Sequence, residues 1–205
     1  MSAAVVSTIG AMARWEPNAQ GRLEQAAMEL YAERGFDDTT VAEIATRAGL
    51  TERTFFRHYA DKREVLFGGG EMLAELLRTT LADAPASAGP LAAVASALEA
   101  VGARIQEFRG RDYSRRRQGV IAANPQLRER ELSKLASWAD VLAEGLRARG
   151  VDEPFASLAG QAGVAAFRVG WARWLDGGDD DLTSAIRASF DELKALSAAD
   201  VAVAG

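Results

Sequence analysis

Apolar residues recur at three- and four-residue intervals along almost the whole chain, and Gly or Pro interrupts the pattern at a few places only. Ala, Leu, Glu and Arg are abundant and runs of β-branched residues are scarce, so the pattern predicts an all-α protein of about nine helices without an internal repeat. The first helix, residues 18–34, carries Leu23, Ala26, Ala27 and Leu30 on one stripe and stops at Gly35, a residue suited to the left-handed position past a helix end. Thr40 opens a short second helix, with Glu43 completing a capping box and Val41, Ile44, Ala45 and Ala48 on its inner face. Gly49 ends it, Thr51 caps a third helix running to about residue 59, and Asp61 with Glu64 heads a long fourth. Downstream, the pattern predicts helices over 91–108, 112–123, from the Asn124-Pro125 break to 149, over 155–175 and over 182–196.

The segment TVAEIATRAGLTERTFFRHYADK, residues 40–62, therefore reads as a short helix, a tight Gly-containing turn and a second short helix, the sequence form of a helix-turn-helix. At about 100° per residue, Phe55 and Tyr59 share the inner face of the third helix and Arg53 and Arg57 the outer one. Thr54 and Phe56 flank that pair, His58 sits toward the helix end and Lys62 just beyond it. Each has a partner on DNA: Arg bonds guanine edges in two places, Thr and His donate to phosphates, and Phe presses on a thymine methyl or a sugar. Glu52 accepts from cytosine or repels phosphate, and the first turns at Thr40 and Thr51 offer free N–H groups to phosphates.

Composition narrows the rest. The chain has 205 residues, 48% of them hydrophobic, enough for a large core, and a net charge of -5 with no Cys. That charge argues against a protein that coats nucleic acid, yet Arg53, Arg57, Lys62 and Arg63 against Glu52 and Asp61 leave about +2 locally. Disulfides and thiolate metal sites are excluded, and a cytoplasmic location, nucleoid-associated when DNA is bound, is the expectation. His58 is the only His, and no Glu-x-x-His pair, phosphate loop or nucleophile elbow occurs, so no metal, cofactor or enzymatic activity is expected. No stretch approaches the apolar length of a membrane span.

The run GRLEQAAMELYAERGFDDTTVAEIATRAGLTERTFFRHYADKREVLF closely resembles the DNA-binding region of the tetracycline-repressor-like (TetR) family over residues 21–67. The likeness lies in the Gly35-Phe36 pair, the T-x-x-E-I-A start at Thr40, the Ala48-Gly49 turn, and Thr54-Phe55-Phe56-Arg57-His58-Tyr59 followed by Lys62. It implies a three-helix DNA-binding domain followed by roughly six helices that bind a ligand and dimerise. It also implies that Thr40, Thr51, Thr54, His58 and Lys62 lie near phosphates while Glu52, Arg53, Phe56 and Arg57 face bases. Family members often carry Tyr at the positions of Phe56 and Arg57, so the operator sequence does not carry over.

The expected organisation is a flexible arm over 1–17, a DNA-binding domain over 18–62, an effector-binding and dimerisation domain over 63–198 and a flexible tail over 199–205. The apolar and small residues of the last two helices, Gly163, Gly170, Ile186, Phe190 and Leu193 among them, suggest a subunit interface. Met72, Leu76, Phe108, Tyr113, Trp138, Phe167 and Trp171 are the candidate lining of a pocket for a largely apolar effector. The whole reads as a ligand-responsive repressor that binds a palindromic operator as a homodimer. A ligand-independent architectural DNA-binding protein and a helical protein-interaction module remain alternatives at this stage.

Overall fold

The computed structural model describes residues 19–203, with side chains through Leu196; the expected arm lies outside the described residues. Within them there are eight α-helices, one short 3-10 turn and no strand, in two compact units that divide between Val65 and Leu66.

The first unit holds α1 (Ala19–Arg34), α2 (Val41–Arg47) and α3 (Glu52–His58). The stripe expected on α1 is its buried face: Leu23, Ala26, Ala27 and Leu30 are inside, with Met28 and Tyr31 beside them. Together with Phe36, Ile44, Phe55 and Tyr59 they make a small core. Gly35 ends α1 at φ +86° and Gly49 stands between α2 and α3 at φ +65°. The left-handed backbone at Gly49 favours glycine, and the Arg22 guanidinium, 2.6 Å from where a Cβ would lie, would have to move aside for any other residue.

The long helix expected from Asp61 does not form. The Asp61 carboxylate accepts from the backbone N–H groups of Arg63 and Glu64, but it heads only the 3-10 turn η1 (Glu64–Phe67). Three consecutive glycines follow, Gly69 takes φ +82°, and α4 (Gly70–Asp83) starts afresh. A left-handed residue cannot continue a right-handed helix, which is why the capping signal is cut short.

The second unit is a bundle of α4, α5 (Pro90–Ala123), α6 (Pro125–Ala148), α7 (Phe155–Asp176) and α8 (Leu182–Val203). Pro90 and Pro125 each occupy a first helical turn, where the missing N–H costs nothing. Within α5 the two helices expected over 91–108 and 112–123 are both present and meet at a kink at Gly110, whose φ +65° and ψ 171° are not helical. The last helix runs past its expected end into the residues expected to form a tail. The core gathers Leu77, Leu81, Val94, Leu98, Trp138, Leu142, Leu146, Trp174, Ile186 and Phe190.

This packing corrects the expected dimer residues. Gly170 lies against the α8 backbone, and a Cβ on it would sit 2.8 Å from the Ala185 carbonyl oxygen and the Ile186 Cα. Gly163 meets Val94, Leu98 and Phe190 in the same way, Ile186 and Phe190 are fully buried, and Leu193 packs on the same core. Gly163, Gly170, Ile186 and Phe190 complete the protomer's own interior, whereas Leu193 is only half-buried. Small residues on a helix report a close neighbour, not which chain supplies it.

Candidate nucleic-acid interface and effector region

Caps and a set of inward hydrogen bonds hold the short helices α2 and α3. The Thr40 hydroxyl accepts from the Glu43 N–H at 3.2 Å, and the Glu43 carboxylate accepts from the Thr40 N–H at 2.9 Å. That second bond is the main reason the Glu43 carboxyl titrates below its ordinary range. Thr51 caps α3 by accepting from the Thr54 N–H at 3.2 Å, and the two threonine hydroxyls lie 3.1 Å apart. Phe55 is fully buried, and Tyr59 donates from its hydroxyl to Glu24 of α1 at 3.0 Å. Arg22 of α1 donates to the Ala48 carbonyl at the end of α2. The inner face of α3 is thereby fixed, so its outer face is defined.

That outer face carries what the sequence suggested. Glu52, Arg53, Phe56, Arg57 and His58 are exposed, Thr54 is half-buried, and Phe56 keeps 55% of its surface in solvent, with its ring edge-on to Phe55 at 5.5 Å. Phe56 thus rests one edge on the core of the unit and presents the rest of its ring to solvent between the two arginines. The charges differ in a way no spacing rule foretells. Arg34 pairs with Glu43, Arg47 with Glu29 and Glu33, and Arg63 with Asp61. Arg53 and Arg57 form no ion pair among the described residues; the nearest polar neighbour of Arg57 is His58, at 3.5 Å. The local positive charge is therefore concentrated on the outer face of α3.

Lys62 is placed differently from the expectation. Its ammonium donates to the carbonyls of Phe36, Asp37 and Thr39 at 2.8, 3.0 and 2.9 Å, and it lies 4.5 Å from the Phe36 ring centre. All three of its protons are engaged in holding the loop that leads to the Thr40 cap. Tyr31 completes the same joint by donating to the Lys62 carbonyl at 2.7 Å, and its buried hydroxyl titrates well above the usual phenol range. Arg22, Tyr31 and Tyr59 were missed as positioning residues; their identity as long polar side chains on apolar stripes was the only signal available.

In the second unit the seven expected pocket residues do not form one lining. Trp138 and Phe167 are buried with ring centres 5.4 Å apart, Trp171 stacks on Phe167 at 6.1 Å, and Trp174 joins the group at 5.4 Å from Trp171. Leu76 is half-buried against the core. Met72 and Phe108 are instead exposed, brought together by Arg104, whose guanidinium lies 3.6 Å from the Phe108 ring centre. Tyr113 sits with Arg109. A cleft of about 390 Å³ opens at the Gly110 bend between Gln106, Arg111, Asp112, Trp174 and Asp180, none of which was in the expected set. Amphipathic periodicity finds buried aromatics but cannot separate a packed core from a cavity wall.

Comparison with known proteins bears on both units. The family described as bacterial regulatory proteins, tetR family, matches residues 24–67, and the MftR C-terminal domain matches residues 88–198, more than half of the chain. A Mycobacterium tuberculosis protein named mycofactocin biosynthesis transcriptional regulator MftR is 28% identical over 179 residues, spanning 82% of this chain and 86% of that one. The HTH-type transcriptional regulator TcmR of Streptomyces glaucescens is 36% identical over 86 residues, 42% of this chain and 38% of its own. Among solved structures, the SmeT–triclosan complex superposes with TM-score 0.60 at 18% identity, over 87% of this chain and 90% of SmeT. A transcriptional regulator from Pseudomonas aeruginosa PAO1 superposes with TM-score 0.61 at 19% identity, over 90% and 93%. Among the described residues no helix is long and apolar enough to cross a membrane. The chain belongs to the TetR family and is a DNA-binding transcriptional regulator with a helix-turn-helix head and an all-helical C-terminal body.

Proposed function

We propose that the protein is a homodimeric repressor that reads an inverted-repeat operator and leaves it when a small, largely apolar effector binds the body. The observation that carries the reading is the outer face of α3, where Arg53 and Arg57, without acidic partners among the described residues, stand on either side of exposed Phe56. In the major groove such a face offers two bidentate guanine donors and one apolar contact. Thr40, Thr51, Thr54 and His58 supply phosphate contacts around it, Glu52 discriminates against wrong bases, and Lys62 serves by bracing the loop before Thr40.

Dimerisation is assigned to the faces of α7 and α8 that the protomer leaves uncovered. Leu158 and Val169 are 61% and 47% exposed, and eleven residues along a helix return to within about 20° of the same face. Leu196 of α8 is 68% exposed. A two-fold pair would set its recognition helices about 34 to 36 Å apart, one turn of DNA. An effector acts by favouring a different separation, and affinity falls by the ligand's preference for that state.

The related folds include SmeT in complex with triclosan and a Thermus thermophilus FadR in complex with lauroyl-CoA. Selection of random duplexes by the purified protein tests the reading. An enriched inverted repeat, bound by a dimer that Leu158→Glu splits, supports it; an unstructured pool bound by monomers overturns it.

A further inference from the structure

The chain uses arginine freely and lysine hardly at all: twenty-one arginines stand against three lysines, Lys62, Lys134 and Lys194. The difference is chemical, because a guanidinium keeps its proton in any protein whereas an ammonium can lose it and become a nucleophile. Two of the three lysines have plain duties. Lys62 gives all three protons to main-chain carbonyls, and Lys194 is exposed beside Asp191 at 3.0 Å. Lys134 has a different setting.

Glu131, Lys134 and Trp138 follow one another at three and four residues on α6 and so share a face. The Lys134 side chain is only 16% exposed. Its ammonium donates to one oxygen of Glu131 at 2.7 Å and lies 5.0 Å from the centre of the buried Trp138 ring. The other oxygen of Glu131 accepts from Arg117 of α5 at 2.9 Å, and Arg109 of the same helix adds a further positive charge. One carboxylate thus faces three cations, and the ammonium is the member that can shed its charge. Burial, and then the Arg117 charge, push Lys134 down to about 8. At pH 7 about one such amine in ten is neutral, against about one in three thousand at the ordinary value.

We infer that Lys134 is a capture site for a short aliphatic aldehyde, which its amine binds as a reversible imine between Glu131 and Trp138. The neutral amine, its proton released to solvent, adds to the carbonyl carbon. The former carbonyl oxygen takes up two protons, one from the nitrogen and one from solvent, and leaves as water. In sum, Lys–NH3+ and R–CHO give Lys–NH+=CH–R and H2O, with no net change in charge. The unchanged charge suits the surroundings. The iminium keeps a cation beside Glu131, whereas acylation of the same nitrogen would neutralise it and leave the buried carboxylate one partner short. The narrow exposure of the side chain, with an indole behind it, admits a short chain and excludes a bulky one. The capture concerns the second unit alone and stands or falls apart from operator binding.

Acetaldehyde with cyanoborohydride traps the imine as a secondary amine, and peptide mapping by mass reads the extent at each amine of the chain, with Nα-acetyl-lysine amide in the same vessel as an ordinary amine. At pH 7 the expected result is labelling at Lys134 about tenfold ahead of both Lys194 and the added lysine amide. The lead over the lysine amide should shrink toward pH 10, where an ordinary amine loses its proton as well. Without reductant, acetaldehyde should change the tryptophan fluorescence of the unaltered protein reversibly, since Trp138 adjoins the amine. Lys134→Arg, which keeps the charge opposite Glu131, should abolish both the label at that position and the fluorescence change. Labelling of Lys134 no faster than that of Lys194, or labelling that appears only in urea, would overturn the capture site and leave Lys134 as the structural partner of Glu131. Should Lys134→Arg fail to fold, mapping of the unaltered protein decides alone.

Discussion

Acidification should unfold the body through Glu131, and the size of the effect follows from its surroundings. The side chain is 17% exposed and pairs with Arg117 and Lys134 at 2.9 and 2.7 Å. Its folded pKa is held down to about 2, against an ordinary 4.5. Between those values the unfolded chain binds the proton and the folded chain does not, so the stabilisation is complete above pH 4.5 and is lost as pH falls toward 2. At about 1.4 kcal/mol per pKa unit the gap is worth about 3 kcal/mol. Lys134 adds a second limb of the same sign: burial and the Arg117 charge push it down to about 8 from 10.5, so between those values the unfolded chain holds a proton that the folded chain lacks, and stability should rise with pH there. Urea unfolding followed by tryptophan fluorescence between pH 5 and 2.5 measures the acid limb, since three of the four tryptophans, Trp138, Trp171 and Trp174, lie in the second unit, and Trp15→Phe removes the fourth. Glu131→Gln should be about 3 to 5 kcal/mol less stable at neutral pH, because two buried cations lose their partner, and its deficit should shrink as the unaltered protein is acidified. Parallel curves for the two proteins over that range would refute the account of Glu131.

Gly170→Ala should cost more than Gly102→Ala, although both glycines face α8. The new methyl of the first meets main-chain atoms of Ala185 and Ile186 at 2.8 Å, whereas that of the second meets the movable end of the Ile186 side chain. Thermal denaturation should show a penalty of about 1 to 3 kcal/mol at residue 170 and a smaller one at residue 102. Thr51→Ala removes the α3 cap and should destabilise the first unit by about 1 kcal/mol, read by hydrogen exchange in residues 51–59. Lys62→Met should loosen residues 36–40 in the same experiment, because three carbonyls lose their donor; exchange there equal to that of the unaltered protein would return Lys62 to a role at the phosphates.

The fold was legible wherever one element's own periodicity decided the matter. The α1 stripe, the Thr40–Glu43 box and the Gly49 turn depend on residues within a few positions of each other, and the inner and outer faces of α3 follow from helical geometry alone. What stayed hidden depended on partners distant in the chain. Asp61 capped a turn rather than a helix because the glycines seven to nine positions later had the stronger say. Gly163 and Gly170 looked like subunit contacts until Val94 and α8 were found against them. That Arg53 and Arg57 form no ion pair among the described residues became visible only once Arg34, Arg47 and Arg63 proved to be paired.

The most direct test of the central claim is the affinity of the protein and of its Arg57→Ala variant for the selected duplex and for a scrambled duplex, at two salt concentrations. The account predicts a loss of about 1 to 3 kcal/mol on the selected duplex, relaxed preference at one base position and little change on the scrambled one. An equal loss on both duplexes would contradict base reading by Arg57 and leave α3 as a surface that binds phosphates without reading sequence.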